Sequence, residues 1–287
     1  MEQSALIDIG LPAVVFIIMA GIGMTLSPRD FERVATRPKA LIWGITAALI
    51  ILPVLGLALA VILDLPRDIA IGLVITAACP IGTTTSLFSY LARGDVALSI
   101  ALSAIGCLVA IATLPLFANF AIDYFGDGDM QVHLPILRTI GMMLLIILFP
   151  VMLGMGIRRK APGFAARAEK LVAVFGVLVL VALIIGIGAS VKDRWVAILV
   201  TAGPAVIGLT ASGIAVGLIG SRLLGLSSAE AITVALSISI RNAAIGMVLA
   251  ITMMRSPEVA VPPALFGLLM YASGFVLLAY GRRKITA

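Results

Sequence analysis

Long apolar runs recur along almost the whole chain, and short polar or charged stretches separate them. The runs are about 20 residues long, the length that an α-helix needs to cross a hydrocarbon core of about 30 Å. The pattern predicts nine membrane-spanning helices, at residues 6–25, 40–63, 69–92, 95–122, 134–158, 170–190, 195–221, 227–253 and 259–281. We therefore expect an all-α polytopic membrane protein with a single transmembrane domain over residues 1–287.

The composition agrees with this pattern. Hydrophobic residues make up 62% of the 287 residues and charged residues only 12%, more apolar surface than a soluble core of this length could bury. The net charge of +6 comes from basic residues in short loops between the runs, which is typical of topology control. We expect the lipid bilayer as a partner, and no nucleic acid.

The basic residues also predict an orientation. With the N-terminus outside, the inward loops hold fourteen of the twenty lysines and arginines: Arg29, Arg33, Arg37, Lys39, Arg93, Arg158, Arg159, Lys160, Arg167, Lys170, Arg222, Arg282, Arg283 and Lys284. The outward side holds five: Arg67, Arg138, Lys192, Arg194 and Arg255. This asymmetry predicts an outside N-terminus and a cytoplasmic C-terminus. The short loops and the lack of a targeting segment suit a bacterial inner membrane.

Two of the predicted spans contain polar interruptions near their middle. The third span reads "CPIGTTTS", in which Pro80 and Gly82 stand beside four hydroxyl residues, Thr83 to Ser86. A proline inside a helix removes a hydrogen bond, so we predict a broken helix here. The eighth span carries "SISIRNAAIG", with Ser237, Arg241 and Asn242, and should be broken too. Four other prolines are expected only to kink their helices: Pro53, Pro115, Pro150 and Pro204.

Interrupted spans at corresponding places in two halves of a chain are typical of secondary transporters with inverted repeats. The corresponding repeats here are approximately residues 6–122 and 134–281. The stretches "GIGMTLSPRDF" and "GIGASVKDRW" precede the two interruptions by similar distances. Chance recurrence of "GIG" in a glycine-rich chain is the alternative. The intact repeats would hold five spans each, with the opening helix missing.

Arg241 is the one basic residue inside a span, and every acidic residue of the chain lies in a loop or near a span end. A charge at that depth costs about 2.5–3.5 kcal/mol on insertion scales and is usually kept for function. The half-helices that restart after Gly82 and near Asn242 would present N–H groups to an anion. We predict an anion-binding site at Thr83, Thr84, Arg241 and Asn242. The alternatives are helix packing for the hydroxyl residues, and for Arg241 a structural role in bonding carbonyls of the broken helices.

The stretch "CPIGTTTSLFSYLARGDVALS", residues 79–99, resembles the corresponding stretch of the bile acid:sodium symporter family. The stretches "GIGMTLSPRDF" and "VPPALFGLLMYASG" resemble that family less specifically. The resemblance covers nearly the whole chain. It implies a core with two crossing discontinuous helices, a panel of other spans, and alternating-access transport of an organic anion such as a bile acid, carboxylate or sulfonate. It also places Tyr271 near the substrate, where lining the cavity and simple packing are both open.

The resemblance fails where the family binds sodium. Its second broken helix usually reads "E-x-G-x-Q-N", and this chain has Ser237 at the acidic position and Arg241 at the glutamine. The hydroxyl residues that the resemblance assigns to a cation site are Thr85, Ser86, Ser99, Ser103 and Ser237. Ala48 stands where the family has a further glutamine. Packing is an equal alternative for Ser99 and Ser103.

The charge of the family's loaded site is +1, from one carboxylate and two sodium ions, and the single guanidinium here gives the same sum. Two hypotheses follow: a sodium symporter with an altered site, or a sodium-independent uniporter or exchanger in which Arg241 is a built-in cation.

Sodium is the only metal ion that the resemblance implies, and it implies no cofactor. An enzyme is disfavoured because the spans hold no histidine, aspartate or glutamate near their middle. A channel is disfavoured because no span carries a polar stripe along its length. The sequence does not predict the oligomeric state or the identity of the substrate.

Overall fold

The structure, a computed structural model, describes residues 10–25, 38–82, 84–126, 136–190 and 195–285. Nearly all of these residues are helical, and the described part contains no β-strand beyond one isolated bridge. In chain order the helices are α1 (Leu11–Thr25), α2 (Pro38–Ile62), α3 (Arg67–Ala78), α4 (Thr84–Leu91), α5 (Val96–Phe125), α6 (Ile136–Met143 continuing as Phe149–Lys160), α7 (Pro162–Ser190), α8 (Trp195–Ala215 continuing to Leu223), α9 (Ser228–Ser239), α10 (Ala243–Val248) and α11 (Val261–Ile285). The predicted all-α fold is confirmed.

Five helices within the described residues are long and apolar enough to cross a membrane: Pro38–Ile62, Val96–Phe125, Thr139–Lys160, Val196–Leu223 and Val261–Ile285. Shorter apolar helices accompany them, at Leu11–Thr25, Val174–Ala189, Ser228–Ser239 and Ala243–Met253. A polytopic membrane protein is thus supported, while the count of nine spans and the inverted repeat stay predictions. Helix α7 begins at Pro162, ahead of the predicted start of the sixth span at residue 170, and proline is well suited to the first turn of a helix.

The first predicted break is present between α3 and α4. Helix α3 ends at Ala78, and Cys79 follows in an extended conformation with φ −55° and ψ 149°. The cause is local, because Pro80 disfavours helical geometry in the residue before it and has no N–H to donate. Helix α4 then begins at Thr84.

The second predicted break lies between α9 and α10, and it contains no proline. Ile240 and Asn242 leave the helical conformation there. The two breaks cross and pair as a short antiparallel bridge, in which the Gly82 N–H donates to the Ile240 carbonyl and the Asn242 N–H to the Pro80 carbonyl, both at 2.9 Å. Backbone groups that helices would otherwise satisfy are paired across the crossing, as burial requires.

The other prolines leave their helices continuous, as predicted. Pro115 and Pro204 lie inside α5 and α8. Pro53 and Pro150 each follow a π-helical turn, at Ala47–Ile51 and Leu144–Leu148. A π turn widens the helix by one residue and so accommodates the missing hydrogen bond.

Helices α1, α6 and α7 pack against one another and form a three-helix group that we call the panel. Helices α2 to α5 and α8 to α11 form a second group, the core, which contains the crossing. The panel helices approach closely through small residues. A Cβ atom added to Gly154 of α6 would lie 2.1 Å from the Ala20 carbonyl oxygen of α1, and one added to Gly23 would lie 2.1 Å from the Val151 carbonyl oxygen. Close contacts of this kind are typical of helix packing in membranes.

We expect Gly154→Ala to destabilise the panel, because an added methyl group meets backbone and not a flexible side chain. The cost should be about 1–3 kcal/mol, as for overpacking elsewhere. Gly156→Ala on the same helix is the matched control, since no atom lies within 4 Å of a Cβ added there. Thermal unfolding in detergent measures the difference. Equal midpoints for the two variants would contradict the packing described.

Candidate functional site at the helix crossing

Arg241 lies at the crossing of the two breaks. Its side chain is only 1% exposed and is the largest fully buried side chain among the described residues. The guanidinium donates from Nη1 to the Cys79 carbonyl at 3.1 Å and from Nη2 to the Ala48 carbonyl at 2.5 Å. Arg241 therefore connects the break between α9 and α10 to helix α2 and to the end of helix α3.

Both carbonyl acceptors are available for local reasons. In the π turn of α2, the Leu52 N–H bonds the Ala47 carbonyl, and the next partner in that pattern, Pro53, has no N–H for Ala48. Cys79 is the first residue beyond α3: its N–H still donates to α3, but its carbonyl lies past the end of the helix. A buried carbonyl without a partner is costly. The guanidinium supplies donors at these two positions.

The charge of Arg241 has no carboxylate partner in the described part of the chain, where its hydrogen bonds go only to carbonyl oxygens. The described acidic side chains lie at helix ends or in loops: Asp64, Asp68, Asp95, Asp123, Glu230 and Glu258. The Nε atom of Arg241 is buried and has no hydrogen-bond partner. The crossing therefore holds a buried positive charge that carbonyl dipoles solvate and that no carboxylate of the described residues neutralises.

The residues predicted to bind substrate differ in their exposure and in the contacts of their side chains. Thr84 begins α4 and Asn242 precedes α10, and both are partly exposed. Asn242 makes no side-chain bond to the helix that follows it. Thr83 lies outside the described residues. Tyr271 of α11 is half-buried and packs against the ring of Phe88, with 6.4 Å between ring centroids.

The residues assigned to a cation site by resemblance lie on three packed helices. Thr85 of α4 donates to the Gly82 carbonyl, and its Oγ1 lies 3.3 Å from Oγ of Ser103 on α5. The Ser99 hydroxyl is buried without a partner. Ser237 of α9 is also fully buried and donates to the Thr233 carbonyl at 2.8 Å. Ser86 is partly exposed. The described part of the chain brings no group of three or more His, Cys, Asp or Glu residues together that could hold a metal ion.

Ser89 is a buried hydroxyl that the sequence analysis did not single out. It follows Thr85 by four residues on α4, just as Ser103 follows Ser99 on α5. The two helices form an antiparallel pair whose register is set by the Thr85–Ser103 contact. On this register we expect Ser89 and Ser99 to be the next pair towards the connecting loop, and neither hydroxyl has a hydrogen-bond partner among the described residues. The repeated spacing of four residues in both helices was the available signal.

Thr233 was also missed, and it joins α9 to the loop before α5. Its Oγ1 accepts a hydrogen bond from the Asp95 N–H at 2.8 Å. Gly94 allows this contact, because a Cβ there would lie 2.5 Å from Thr233 Oγ1. The Asp95 carboxylate in turn accepts from the Leu98 N–H and caps α5. Helices α4, α5 and α9 are thus fixed to one another on one side of the crossing.

We expect Ser99→Ala to raise the free energy of unfolding by about 1 kcal/mol, because it removes a buried hydroxyl that has no partner. Ser273→Ala is the matched control: its hydroxyl is also buried but donates to the Met270 carbonyl at 2.8 Å. That variant should lose stability by about 1 kcal/mol. Thermal unfolding of the two proteins in sodium-free detergent buffer measures both effects. A loss in Ser99→Ala as large as in the control would show that Ser99 has a partner.

Two apolar cavities lie where the panel meets the core. The larger, of about 120 Å³, is between α1, α6 and α5 and includes Ile22, Cys107 and Val151 in its lining. The smaller, of about 30 Å³, is between α1, α6 and α10 and includes Val15 and Ile245. Neither cavity is lined by the residues predicted to bind substrate. The interface between the two groups is therefore apolar and contains unfilled space.

The chain that forms this crossing and panel is similar in sequence to known proteins. Residues 12–197 match the model of the Sodium Bile acid symporter family. The chain belongs to this family. The membership predicted from "CPIGTTTSLFSYLARGDVALS" is thereby confirmed, and transport across a membrane is the general activity of the family.

Three relatives illustrate the breadth of the sodium bile acid symporter family. The chain is 29% identical over 273 residues to the uncharacterized sodium-dependent transporter YocS of Bacillus subtilis, covering 94% of this chain and 82% of that protein. It is 30% identical over 275 residues to the probable sodium/metabolite cotransporter BASS1, chloroplastic, of Arabidopsis thaliana, covering 93% of this chain and 65% of that protein. It is 24% identical over 241 residues to the human ileal sodium/bile acid cotransporter, covering 83% and 68%.

Proposed function

We propose that this protein carries a small organic anion across the membrane by alternating access, and that it does so without obligatory sodium. The observation that carries the proposal is the buried guanidinium of Arg241, which has carbonyl partners but no carboxylate partner within the described residues. A charge at such depth is expensive and is normally kept for function. A fixed cation at the crossing favours an anionic substrate through its field.

In this proposal the guanidinium of Arg241 replaces a bound cation. The carbonyl oxygens of Ala48 and Cys79 are ligands of the kind that a hard cation prefers, and the guanidinium already uses both. By resemblance, Arg241 stands at a glutamine position and Ser237 at an acidic position of the family's sodium sites. A sodium ion close to the guanidinium would be repelled, and no described carboxylate offsets that repulsion.

The substrate anion would contact Thr83, Thr84 and Asn242, whose side chains add directional hydrogen bonds at the positive ends of two helix dipoles. Thr84 and Asn242 are both partly exposed. Arg241 acts through its field, because its side chain is only 1% exposed. In an alternating-access carrier, movement of the core relative to the panel exposes these residues to one side of the membrane and then to the other.

A sodium symporter with an altered site is the second candidate. It is favoured by the buried hydroxyl cluster of Thr85, Ser99 and Ser103, whose oxygens could coordinate a cation without a carboxylate. The printed names of the Bacillus and chloroplast relatives also state sodium dependence or sodium cotransport. In this alternative, the guanidinium replaces only one of two sodium ions.

The arrangement in the membrane belongs to the same proposal. Nine spans, two inverted repeats over residues 6–122 and 134–281, and an outside N-terminus follow from the apolar pattern and from the distribution of basic residues. The short loops between the spans suit a bacterial inner membrane. The protein acts as a carrier and not as an enzyme.

The test is uptake of labelled pyruvate, benzoate, cholate and taurocholate into proteoliposomes that contain the full chain. Each anion is measured with an imposed sodium gradient and with choline in its place. We expect at least one anion to enter faster than into protein-free liposomes, at the same rate in both media. Uptake that requires sodium would favour the second candidate, and no uptake of any anion would contradict both.

A further inference from the structure

We infer that net transport is driven by the membrane potential, so that an inside-negative potential exports a monovalent organic anion. The inference rests on the proposed function, since it takes the anion to move without sodium. The structural observation is that the one buried charge of the described core is bonded rigidly to the helices that cross there.

Four hydrogen bonds fix Arg241 and its two neighbours in the core: the guanidinium makes two, and the backbone of Ile240 and Asn242 makes the other two. Its guanidinium donates to the Cys79 and Ala48 carbonyls at 3.1 and 2.5 Å. The residues on either side of it pair with the other break, through the 2.9 Å bonds between Gly82 and Ile240 and between Asn242 and Pro80. These bonds join helices α2, α3, α9 and α10. When the core moves relative to the panel, the positive charge must move with it.

The net charge of the moving core then depends on whether an anion is bound to it. No described carboxylate neutralises Arg241, so the part of the empty core that lies within the membrane field carries one positive charge. A bound monovalent anion brings that charge to zero. The other described charges of the core lie at helix ends, where the field is weak. The loaded core therefore crosses without net charge, and the empty core returns with a charge of +1.

The full cycle fixes the direction of transport. Any movement of Arg241 in the loaded step is reversed in the return step, so the net charge moved is that of the anion alone. An inside-negative potential draws the empty, positive core towards its cytoplasm-facing position, where it loads another anion for export. At equilibrium, a tenfold higher concentration outside corresponds to about 59 mV. The direction of net transport under a given potential is the same for either orientation of the protein in a vesicle.

Exchange and net efflux should therefore respond differently to voltage. In exchange of labelled for unlabelled anion, the core is loaded and neutral in both directions, so the rate should not depend on potential. Net efflux includes the return of the empty core, so its rate should depend on potential. In a carrier whose empty site is neutral, the loaded core would carry the charge of the anion. The rate of exchange would then depend on potential.

The experiment uses proteoliposomes in sodium-free potassium and choline media, with valinomycin setting the potential and labelled cholate and pyruvate as probes. We expect an inside-negative potential from a tenfold potassium gradient to accelerate net efflux severalfold and to leave exchange unchanged. In Arg241→Gln the loaded core would carry −1, so exchange should become voltage-dependent. Arg241→Lys keeps the charge, so its exchange should stay independent of potential, whatever its absolute rate.

Each result has a distinct meaning. Sodium-free exchange in the wild type that changes with potential, or net efflux that does not, would overturn the inference and leave the proposed function standing. Exchange that occurs only with sodium would overturn the proposed function and this inference with it. Voltage-independent exchange together with potential-driven efflux supports both, and the wild-type result does not depend on whether Arg241→Gln folds.

Discussion

Replacement of Arg241 by glutamine is expected to raise the KM for the transported anion by about 30-fold. The guanidinium is buried and unneutralised by any described carboxylate, so its attraction for an anion is weakly screened. At an effective dielectric constant of about 20, two charges about 8 Å apart attract by about 2 kcal/mol. A difference of 1.36 kcal/mol corresponds to a factor of ten. Concentration dependence of initial uptake in proteoliposomes measures the change.

The lysine variant separates charge from hydrogen bonding. Arg241→Lys keeps the positive charge but cannot reach both carbonyls in the planar geometry of a guanidinium. We expect it to lose stability, because the Ala48 or the Cys79 carbonyl is left without its donor, while its KM stays within a few-fold of the wild type. If glutamine and lysine raised the KM equally, the hydrogen bonds and not the charge would be the contribution of Arg241.

The combination of Ser237→Glu with Arg241→Gln should make uptake at least about tenfold faster in sodium than in choline. Ser237 is fully buried on α9, which packs against α4 and α5, the helices that carry Thr85, Ser99 and Ser103. A carboxylate there, with the Ala48 and Cys79 carbonyls released from the guanidinium, provides the oxygens and the negative charge that a hard cation needs. Initial rates in matched sodium and choline media measure the effect.

Ser237→Glu alone is the control for the double variant. Its carboxylate would lie in the same buried region as Arg241 and neutralise it, so we expect weaker anion uptake and no dependence on sodium. A sodium requirement in this single variant would show that the guanidinium and a sodium ion can occupy the crossing together. That result would contradict the replacement of sodium by Arg241.

The sequence predicted best those features of the fold that are caused by residues close by in the chain. The first break follows from Pro80, because proline removes a donor and forces the preceding residue out of the helix, and the structure confirms it at Cys79. The second break was also predicted correctly, from polar residues in an apolar run. Its exact position at residues 240–242 depends on pairing with Pro80 and Gly82, a contact between distant segments that no local pattern encodes.

The partners of Arg241 could not be predicted in the same way. The sequence showed that no carboxylate could reach it, but not that the Ala48 carbonyl would face it. That carbonyl is free because a π turn precedes Pro53, and a π turn has no reliable sequence signature. Ser89 was missed for a similar reason, since its position opposite Ser99 depends on the register of α4 against α5.

The most direct test of the claim that Arg241 takes the place of sodium is a dual-label flux measurement on the wild type. Radioactive sodium and a labelled organic anion are followed together into the same proteoliposomes. The account predicts anion uptake with no sodium uptake above that of protein-free liposomes. Sodium entry in fixed proportion to the anion would contradict it, and would show that the hydroxyls of Thr85, Ser99 and Ser103 suffice for coupling.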